Sequence, residues 1–205
     1  MMEDIPVHGD EIKSKTEDCT RIFFENVDGF GINKDSTAHN NNHKTKYFNS
    51  LMLHLDADIY GGVESRTNWS MLPATHCIER ILHTREGGQV IAAHNEHEKF
   101  SIAQQGGTFL AATAETAEII SEKGKDITGL GRWSWFKLSG TTTTTRIVVA
   151  YAACNSRKQA HSATIAQQRR YWRLQGNRQC PRKLFREQLL NMLQEWRSEG
   201  EKLFY

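Results

Sequence analysis

The sequence predicts one α/β (α+β) domain, and three observations carry that prediction. Apolar runs with strand character enclose a segment of helical spacing, a Gly- and Thr-rich turn joins two further strand-like runs, and two amphipathic helices follow. A length of 205 residues fits one domain, and a hydrophobic fraction of 38% suffices for a sizeable core. Residues 1–19 mix charges without an apolar period and are predicted to form a polar tail, so the domain is predicted to span residues 20–205.

The first predicted unit is a strand, a helix and a second strand. Residues 21–25 and 58–64 are the two apolar runs, and residues 35–46 form a polar loop between them. The helix is predicted from apolar side chains at helical spacing, namely Tyr47, Phe48, Leu51, Met52 and Leu55. A right-handed crossover would make the two strands parallel, and the sequence leaves open whether they are direct neighbours.

The rest of the chain contains five more predicted strands and two helices. Residues 89–93 and 107–112 are short β segments, and the hairpin pairs the Trp133–Trp135 segment with residues 146–150 through a turn at residues 140–145. Helices are predicted over residues 162–175 and 181–198, the second beginning at Pro181 and ending before Gly200. Residues 202–205 are predicted to begin another buried strand, so we expect the domain to be incomplete at its C-terminus.

Charge is unevenly distributed although the net charge is only +2. No acidic residue lies between Asp126 and Glu187, whereas lysines and arginines are frequent there. This pattern suits a polyanionic partner, and it equally suits solvated helix faces balanced by the acidic first half of the chain. Aromatic residues in this stretch could stack on unpaired bases, or could simply belong to the core.

Several function classes are disfavoured by missing patterns. No apolar stretch approaches the roughly 20 residues that cross a bilayer, and the start of the chain lacks a secretory apolar region, which predicts an intracellular protein without a membrane partner. The four cysteines are scattered without a C-x-x-C pair, so free thiols are expected instead of a zinc site. Neither a Gly-x-Ser-x-Gly elbow nor a phosphate-binding Gly-x-x-x-x-Gly-Lys loop occurs.

Hard oxygen ligands follow both strands of the first unit. Asn26 follows the first strand and Glu64 ends the second, so both side chains are expected at the carboxyl edge of the sheet, where open α/β sheets bind ligands. A carboxylate and an amide there could serve a Mg²⁺ ion. Two plainer interpretations stay open, because Glu64 can be an ordinary exposed side chain at a strand end and Asn-x-Asp-Gly is a common turn.

Taken in order, the motifs resemble a known family. The chain from about residue 21 to its end resembles the first half of an endonuclease/exonuclease/phosphatase (DNase I-like) domain, and residues 133–135 and 167–196 look closest to retrotransposon-type endonucleases. This resemblance implies a two-sheet sandwich flanked by helices. The motifs that carry it are Asn26-Val27-Asp28-Gly29, residues 58–65 ending in Glu64-Ser65, Gly106-Gly107-Thr108, residues 131–135, and residues 148–155.

The resemblance also implies roles for individual residues. Asn26 would act at the phosphate, Asp28 would support the metal site, and Glu64 would bind Mg²⁺ or Mn²⁺. Substrate phosphate would be contacted by Tyr151, Asn155 and Arg132. The implied function is Mg²⁺-dependent phosphodiester hydrolysis of DNA, as by the endonuclease of a retroelement-like gene, with no protein partner evident beyond the missing C-terminal half.

The chain departs from the family pattern at several positions. Val63 stands where Gln usually precedes the metal-binding Glu, Ala153 replaces a Pro, and Asn155 lies one position late. The later Gly-Asp-x-Asn and Ser-Asp-His motifs have no counterpart, and His94 and His97 are predicted to be solvated, so no general base can be named. Two alternatives therefore stand beside the nuclease: a truncated remnant that only binds nucleic acid, and a phosphatase of the same superfamily.

Overall fold

The computed structural model of the chain describes residues 14–16, 19–32, 43–72, 78, 82, 87–98, 101–154 and 163–205. These residues form two four-stranded sheets with helices on their outer faces. The elements are β1 (Ile22–Asn26), α1 (His43–Leu55), β2 (Ile59–Val63), a 3-10 turn (Trp69–Met71), β3 (Gln89–Ala93), β4 (Thr108–Ala112), α2 (Ala114–Glu118), β5 (Ile120–Lys125), β6 (Trp133–Ser139), β7 (Thr144–Ala150), α3 (Thr164–Leu174), α4 (Pro181–Ser198) and β8 (Lys202–Phe204).

The first sheet has the strand order β1-β2-β4-β3. Strands β1 and β2 are parallel direct neighbours, with Asn26 opposite Val63, which confirms the predicted parallel pairing and answers the question of adjacency. Strand β4 is antiparallel to both β2 and β3, and Thr108 at its start lies opposite Val63 and Ala93. The ends of β1, β2 and β3 therefore meet the beginning of β4 at one edge of the sheet.

The second sheet has the order β5-β6-β7-β8. Its β6–β7 pairing is the predicted hairpin, with Trp133 opposite Ala150. Strand β8 pairs in parallel with β7, so a strand does begin at Lys202 as predicted, but it is an edge strand whose Lys202 and Phe204 side chains are exposed, not buried.

One core cluster lies between the two sheets. Side chains alternate along each strand, so Ile59 faces the second sheet while Tyr60 faces outward. The inner layer also contains Leu110, Phe136 and Ile147, all buried. A Cβ on Gly61 would lie 2.3 Å from the Phe24 ring, so only glycine leaves room for this ring in the layer.

Helices cover the outer face of each sheet. Helix α1 contributes Phe48 to an aromatic cluster with Tyr60 and Phe109 on the first sheet. Helix α4 contributes Trp196, which contacts Trp135 of the second sheet with ring centroids 5.2 Å apart. The predicted two-sheet α/β sandwich flanked by helices is therefore confirmed.

Two further features bear on the sequence predictions. Lys15, inside the segment predicted to be a tail, pairs its ammonium with the Asp58 carboxylate at 2.5 Å, so this part of the segment packs against the first sheet. In the part of the chain that the structure describes, no helix is both long enough and apolar enough to cross a membrane.

Candidate functional site

Backbone hydrogen bonds connect the turn after β1 to the turn after β2. The Val27 N–H donates to the carbonyl of Val63 at 3.1 Å, and the Gly29 N–H donates to the carbonyl of Glu64 at 2.7 Å. Asn26 closes its own turn by accepting the Asp28 N–H at 3.1 Å, and its side chain is exposed. The pairing of these strands therefore continues past their ends and holds both turns together.

Three residues of these turns have left-handed backbone conformations. The φ angles are +46° at Asp28, +57° at Glu64 and +49° at Arg66. Such angles are uncommon for residues other than glycine, and they cost about 1–2 kcal/mol each. Non-glycine residues in this region cluster at functional sites, where surrounding contacts hold them in place.

Arg66 joins the two carboxylates of the site. Its Nη2 atom lies 3.0 Å from Glu64 Oε2 and 2.5 Å from Asp28 Oδ1. The Glu64 side chain is 16% exposed and the Asp28 side chain 67%, so the pair lies half in the protein and half in solvent. The Arg66 N–H donates to the Gly106 carbonyl at 2.9 Å, which ties the arginine to the segment before β4.

Sequence analysis missed Arg66. The signal that could have found it is a basic residue two positions after the predicted metal ligand, on the same turn. A guanidinium can bridge two carboxylates because its N–H donors lie in one plane, and this geometry depends on the turn conformation that the sequence does not display.

Tyr151, which directly follows β7 of the second sheet, lies at the same site. Its backbone N–H donates to the carbonyl of Arg132 at 2.8 Å, continuing the β6–β7 pairing past the end of β7. Burial, followed by the hydrogen bond from its hydroxyl to the Glu64 carboxylate, raises the pKa of Tyr151 well above its usual range. The phenol therefore stays protonated at neutral pH and donates to Glu64.

Glu64 is thus contacted from both sheets. Arg66 holds it from the side of the first sheet, and Tyr151 holds it from the second. Gly106 makes room for this arrangement, because a Cβ there would lie 3.6 Å from the Tyr151 ring and 3.1 Å from the Thr164 methyl group at the start of α3.

Arg132 lies in the interior, not at this site. Its guanidinium donates to both Asp126 oxygens, at 2.6 Å from Nε and 2.9 Å from Nη2, and both side chains are 0% exposed. The guanidinium also stacks over Trp133, 4.3 Å from the ring centroid. This buried ion pair already compensates the charge of Arg132, and its contact with phosphate stays a prediction. Asn155, the other predicted phosphate contact, lies outside the described residues.

The histidines differ from one another. His94, predicted to be solvated, is only 6% exposed, and neither ring nitrogen has a hydrogen-bond partner among the described residues. Burial, and then the charge of Lys125, lower the pKa of His94, so the ring is neutral. His97 is exposed as predicted, and its ring lies 4.4 Å from that of Tyr171. His76 and His83 lie outside the described residues.

Few possible metal ligands meet at any one place. Within the described ranges, no cluster of three or more His, Cys, Asp or Glu side chains is close enough to hold a metal ion. Glu64 and Asp28 are the two carboxylates that the site brings together, through Arg66. Mg²⁺ is commonly bound through only one or two carboxylates, with water and substrate phosphate completing its shell, so this donor set suits Mg²⁺ in type and number.

Comparison with known proteins gives structural similarity alone. No protein-family model matches the chain, and no curated protein matches it in sequence. Solved structures with a similar arrangement include the AP endonuclease LMAP from Leishmania major (13% identity, 65% of this chain and 40% of that chain, TM-score 0.47), an AP endonuclease from Archaeoglobus fulgidus (14%, 76% and 50%, TM-score 0.44) and an endonuclease/exonuclease/phosphatase family protein from Leptotrichia buccalis (8%, 65% and 53%, TM-score 0.43).

The chain spans about half the length of these structures, between 40% and 53% of each. At such identities and TM-scores, the activities of these proteins do not transfer to this chain.

Proposed function

We propose that this chain hydrolyses phosphodiester bonds in DNA with a divalent cation, at the site formed by Asp28, Glu64 and Tyr151. One observation carries the proposal: Asp28 after β1 and Glu64 after β2 share the Arg66 guanidinium, and Tyr151 at the end of β7 lies beside Gly106, whose carbonyl accepts the Arg66 N–H. Three separate chain segments and both sheets are needed to build this point. An ordinary exposed glutamate at a strand end does not require such support.

Glu64 and Asp28 would hold Mg²⁺ or Mn²⁺. Their oxygens suit such an ion, and the exposed Asp28 leaves the outer side open to phosphate and water. When bound, the ion would stabilise negative charge on the phosphate. Arg66 would turn from the two carboxylates towards the phosphate, whose negative charge a guanidinium binds well.

Tyr151 has a positioning role in this proposal. Its protonated hydroxyl would donate to Glu64 and would fix the orientation of that carboxylate. Removing a residue that orients a metal ligand typically lowers activity or metal affinity by about 10- to 100-fold. Asn26, exposed beside the same turn, would donate its amide to a phosphate oxygen.

Nicking of supercoiled plasmid tests the proposal. The wild-type protein is expected to nick DNA with Mg²⁺ or Mn²⁺, and EDTA or Glu64→Gln is expected to abolish nicking. Tyr151→Phe should lower the rate by about 10- to 100-fold. Glu122→Gln is the matched control, because Glu122 is an exposed carboxylate on β5 of the second sheet that pairs with Lys137. Nicking by the Glu64→Gln protein at the wild-type rate would overturn the proposal.

A non-catalytic nucleic-acid-binding protein is the second candidate, and one contact favours it. Arg66 compensates both carboxylates of the site, so the fold does not need a metal ion to neutralise them. This candidate predicts DNA binding without nicking under any divalent cation. A phosphatase of the same superfamily, the third possibility implied by the family resemblance, would release inorganic phosphate from a phosphorylated oligonucleotide and leave plasmid intact. Retroelement origin stays a prediction that rests on that resemblance.

A further inference from the structure

A cavity of about 390 Å³ opens at the edge of the first sheet opposite to the site of Glu64. It lies between the C-terminal end of α1, the residues that lead into β2, and the end of β4 with the start of α2. We name it the acidic pocket, because the carboxylates of Asp56, Asp58 and Glu115 line it. We propose that the acidic pocket binds a small aliphatic diamine or a longer polyamine. This ligand site goes beyond the proposed function and is separate from it, since the length of β2, about 13 Å, lies between the two.

The inner lining of the acidic pocket is apolar. Ala57, Leu82 and Ala112 are buried there, and Met52 is half-buried. Leu53 also lines the pocket, and its side chain is exposed. The volume lies towards the lower end of the range for small-molecule sites, which is about 300–1,000 Å³. The pocket therefore suits a small molecule that has an apolar part.

The charged lining of the pocket has an excess of carboxylates. Lys15 pairs with Asp58 at 2.5 Å, and it is the one basic residue among the described residues that line the pocket. Asp56 and Glu115 are exposed, and neither has an ion-pair partner within the described ranges. Two carboxylates of the pocket are therefore available to positively charged groups of a ligand.

Lys15 shows which ligand chemistry the pocket accepts. Its ammonium donates to Asp58, and its side chain is only 19% exposed, so its methylene groups lie along the protein surface. The hydrogen bond to Asp58, aided by the charges of Asp58, Asp56 and Glu115, outweighs burial and raises the pKa of Lys15. All three carboxylates therefore act on an ammonium group that stands on a methylene chain, which is the chemistry of an aliphatic amine.

Other ligand classes use less of this lining. Within the described ranges, no cluster of three or more His, Cys, Asp or Glu side chains is close enough to hold a metal ion, and a metal ion would make no use of the apolar lining. An anion would be repelled by Asp56 and Glu115. A diamine uses both parts of the pocket, because its ammonium groups pair with carboxylates and its methylene groups cover Met52 and Leu53.

Chemical-shift titration of the ¹⁵N-labelled protein measures this binding and locates it. We would add 1,3-diaminopropane, 1,4-diaminobutane or 1,5-diaminopentane at constant ionic strength and pH 7, where alkylamines are protonated. The backbone amides of Asp56, Ala57 and Glu115 are expected to shift. Each added methylene that becomes buried should tighten binding by about 4-fold. Butane-1,4-diol is the control ligand, because it has a similar length and carries no charge.

Variants of the lining carboxylates test the charge contacts. Asp56→Asn and Glu115→Gln should each weaken the binding of 1,4-diaminobutane by about 2- to 5-fold, because exposed charge pairs contribute that much. Glu195→Gln is the matched control, since Glu195 is an exposed carboxylate on α4, outside the pocket. Lys15→Met removes the counter-charge of the buried Asp58 and should tighten binding by about 10-fold, because the ligand can then take the place of Lys15. Circular dichroism checks that all variants are folded.

Each outcome decides the proposal. Shifts confined to the pocket, affinity that rises with chain length, and weaker binding in the Asp56 and Glu115 variants but not in Glu195→Gln support it. Equal affinity for the three diamines, or an equal loss in Glu195→Gln, would overturn it, because the amines would then only screen surface charge. Unshifted pocket amides, equal binding of butane-1,4-diol, or a Lys15→Met protein that binds no more tightly than the wild type would also overturn it. Since the nicking assay contains no amine, neither result depends on the other.

Discussion

The Asp126–Arg132 ion pair is expected to be a large single contribution to stability. Both side chains are fully buried, and two hydrogen bonds of 2.6 and 2.9 Å join them. Substituting Asp126→Asn keeps the shape of the side chain but leaves the guanidinium without its counter-charge. Removing one partner of a buried pair typically costs about 3–5 kcal/mol in the free energy of unfolding. For a chain of this size that corresponds to a fall in Tm of about 6–20 °C.

Urea unfolding followed by circular dichroism measures this loss, and the neighbouring residue offers a control. Lys125 pairs with Glu96 at 2.5 Å, but these side chains are 43% and 45% exposed. Exposed pairs contribute about 0–1 kcal/mol, so Glu96→Gln should change the free energy of unfolding by no more than that. If Asp126→Asn and Glu96→Gln proved equally mild, the reasoning from burial would be refuted.

A double variant separates lost charge from lost packing. Replacing both partners of a buried pair by apolar residues is often neutral or stabilising, because no uncompensated charge remains. Asp126→Leu combined with Arg132→Met should therefore be more stable than Asp126→Asn. A double variant less stable than the single one would indicate that the hydrogen bonds Asp126 accepts from the Thr128 and Arg132 N–H groups outweigh the buried charge.

Three further predictions concern pH and packing. Burial alone would raise the pKa of Glu201, but hydrogen bonding by Arg146 outweighs it and the pKa is lowered. The pair therefore stabilises the folded protein at pH values above 4.5, the ordinary glutamate pKa, and this stabilisation is lost as the pH falls through the pKa of the folded state. In urea unfolding, Glu201→Gln should destabilise the protein much more at pH 7 than at pH 3. Burial lowers the pKa of His94 below its ordinary value of 6.5, so the unfolded chain binds more protons than the folded protein. The free energy of unfolding should therefore decrease as the pH falls from 7.5 to 5.5. His94→Leu should make this decrease smaller, and an unchanged decrease would contradict the prediction. Gly61→Ala should cost about 1–3 kcal/mol, because its methyl group would lie 2.3 Å from the Phe24 ring, and Phe24→Ala in the same chain should recover part of the loss.

Local patterns were sufficient to predict much of the fold. Apolar periodicity gave α1 and α4, and the alternation of Trp133 and Trp135 gave β6. Strand β5 was not predicted, because its sequence from Ile120 to Lys125 is mostly charged and exposed and shows no alternation. It is held in place by its pairing with β6, which no local pattern displays.

The candidate site was likewise predictable only where local sequence patterns determine it. Asn26 and Glu64 could be placed at one edge, because both follow strands of one crossover unit, and the pairing of Asn26 with Val63 agrees with that placement. Arg132 was assigned to the phosphate by the family resemblance alone, whereas its partner Asp126 lies six residues earlier, just after β5. Which charges become buried depends on how the two sheets pack, and this packing joins segments far apart in the sequence.

The left-handed turn residues have a consequence for laboratory evolution. Asp28 and Arg66 hold conformations that glycine adopts without strain, so glycine at either position removes a local energetic cost together with a charged side chain. A library screened only for heat resistance or expression is therefore expected to accumulate glycine in these turns. Under the proposed function, screens that also demand DNA cleavage should retain the original residues, so the two sequence pools would diverge first at these positions.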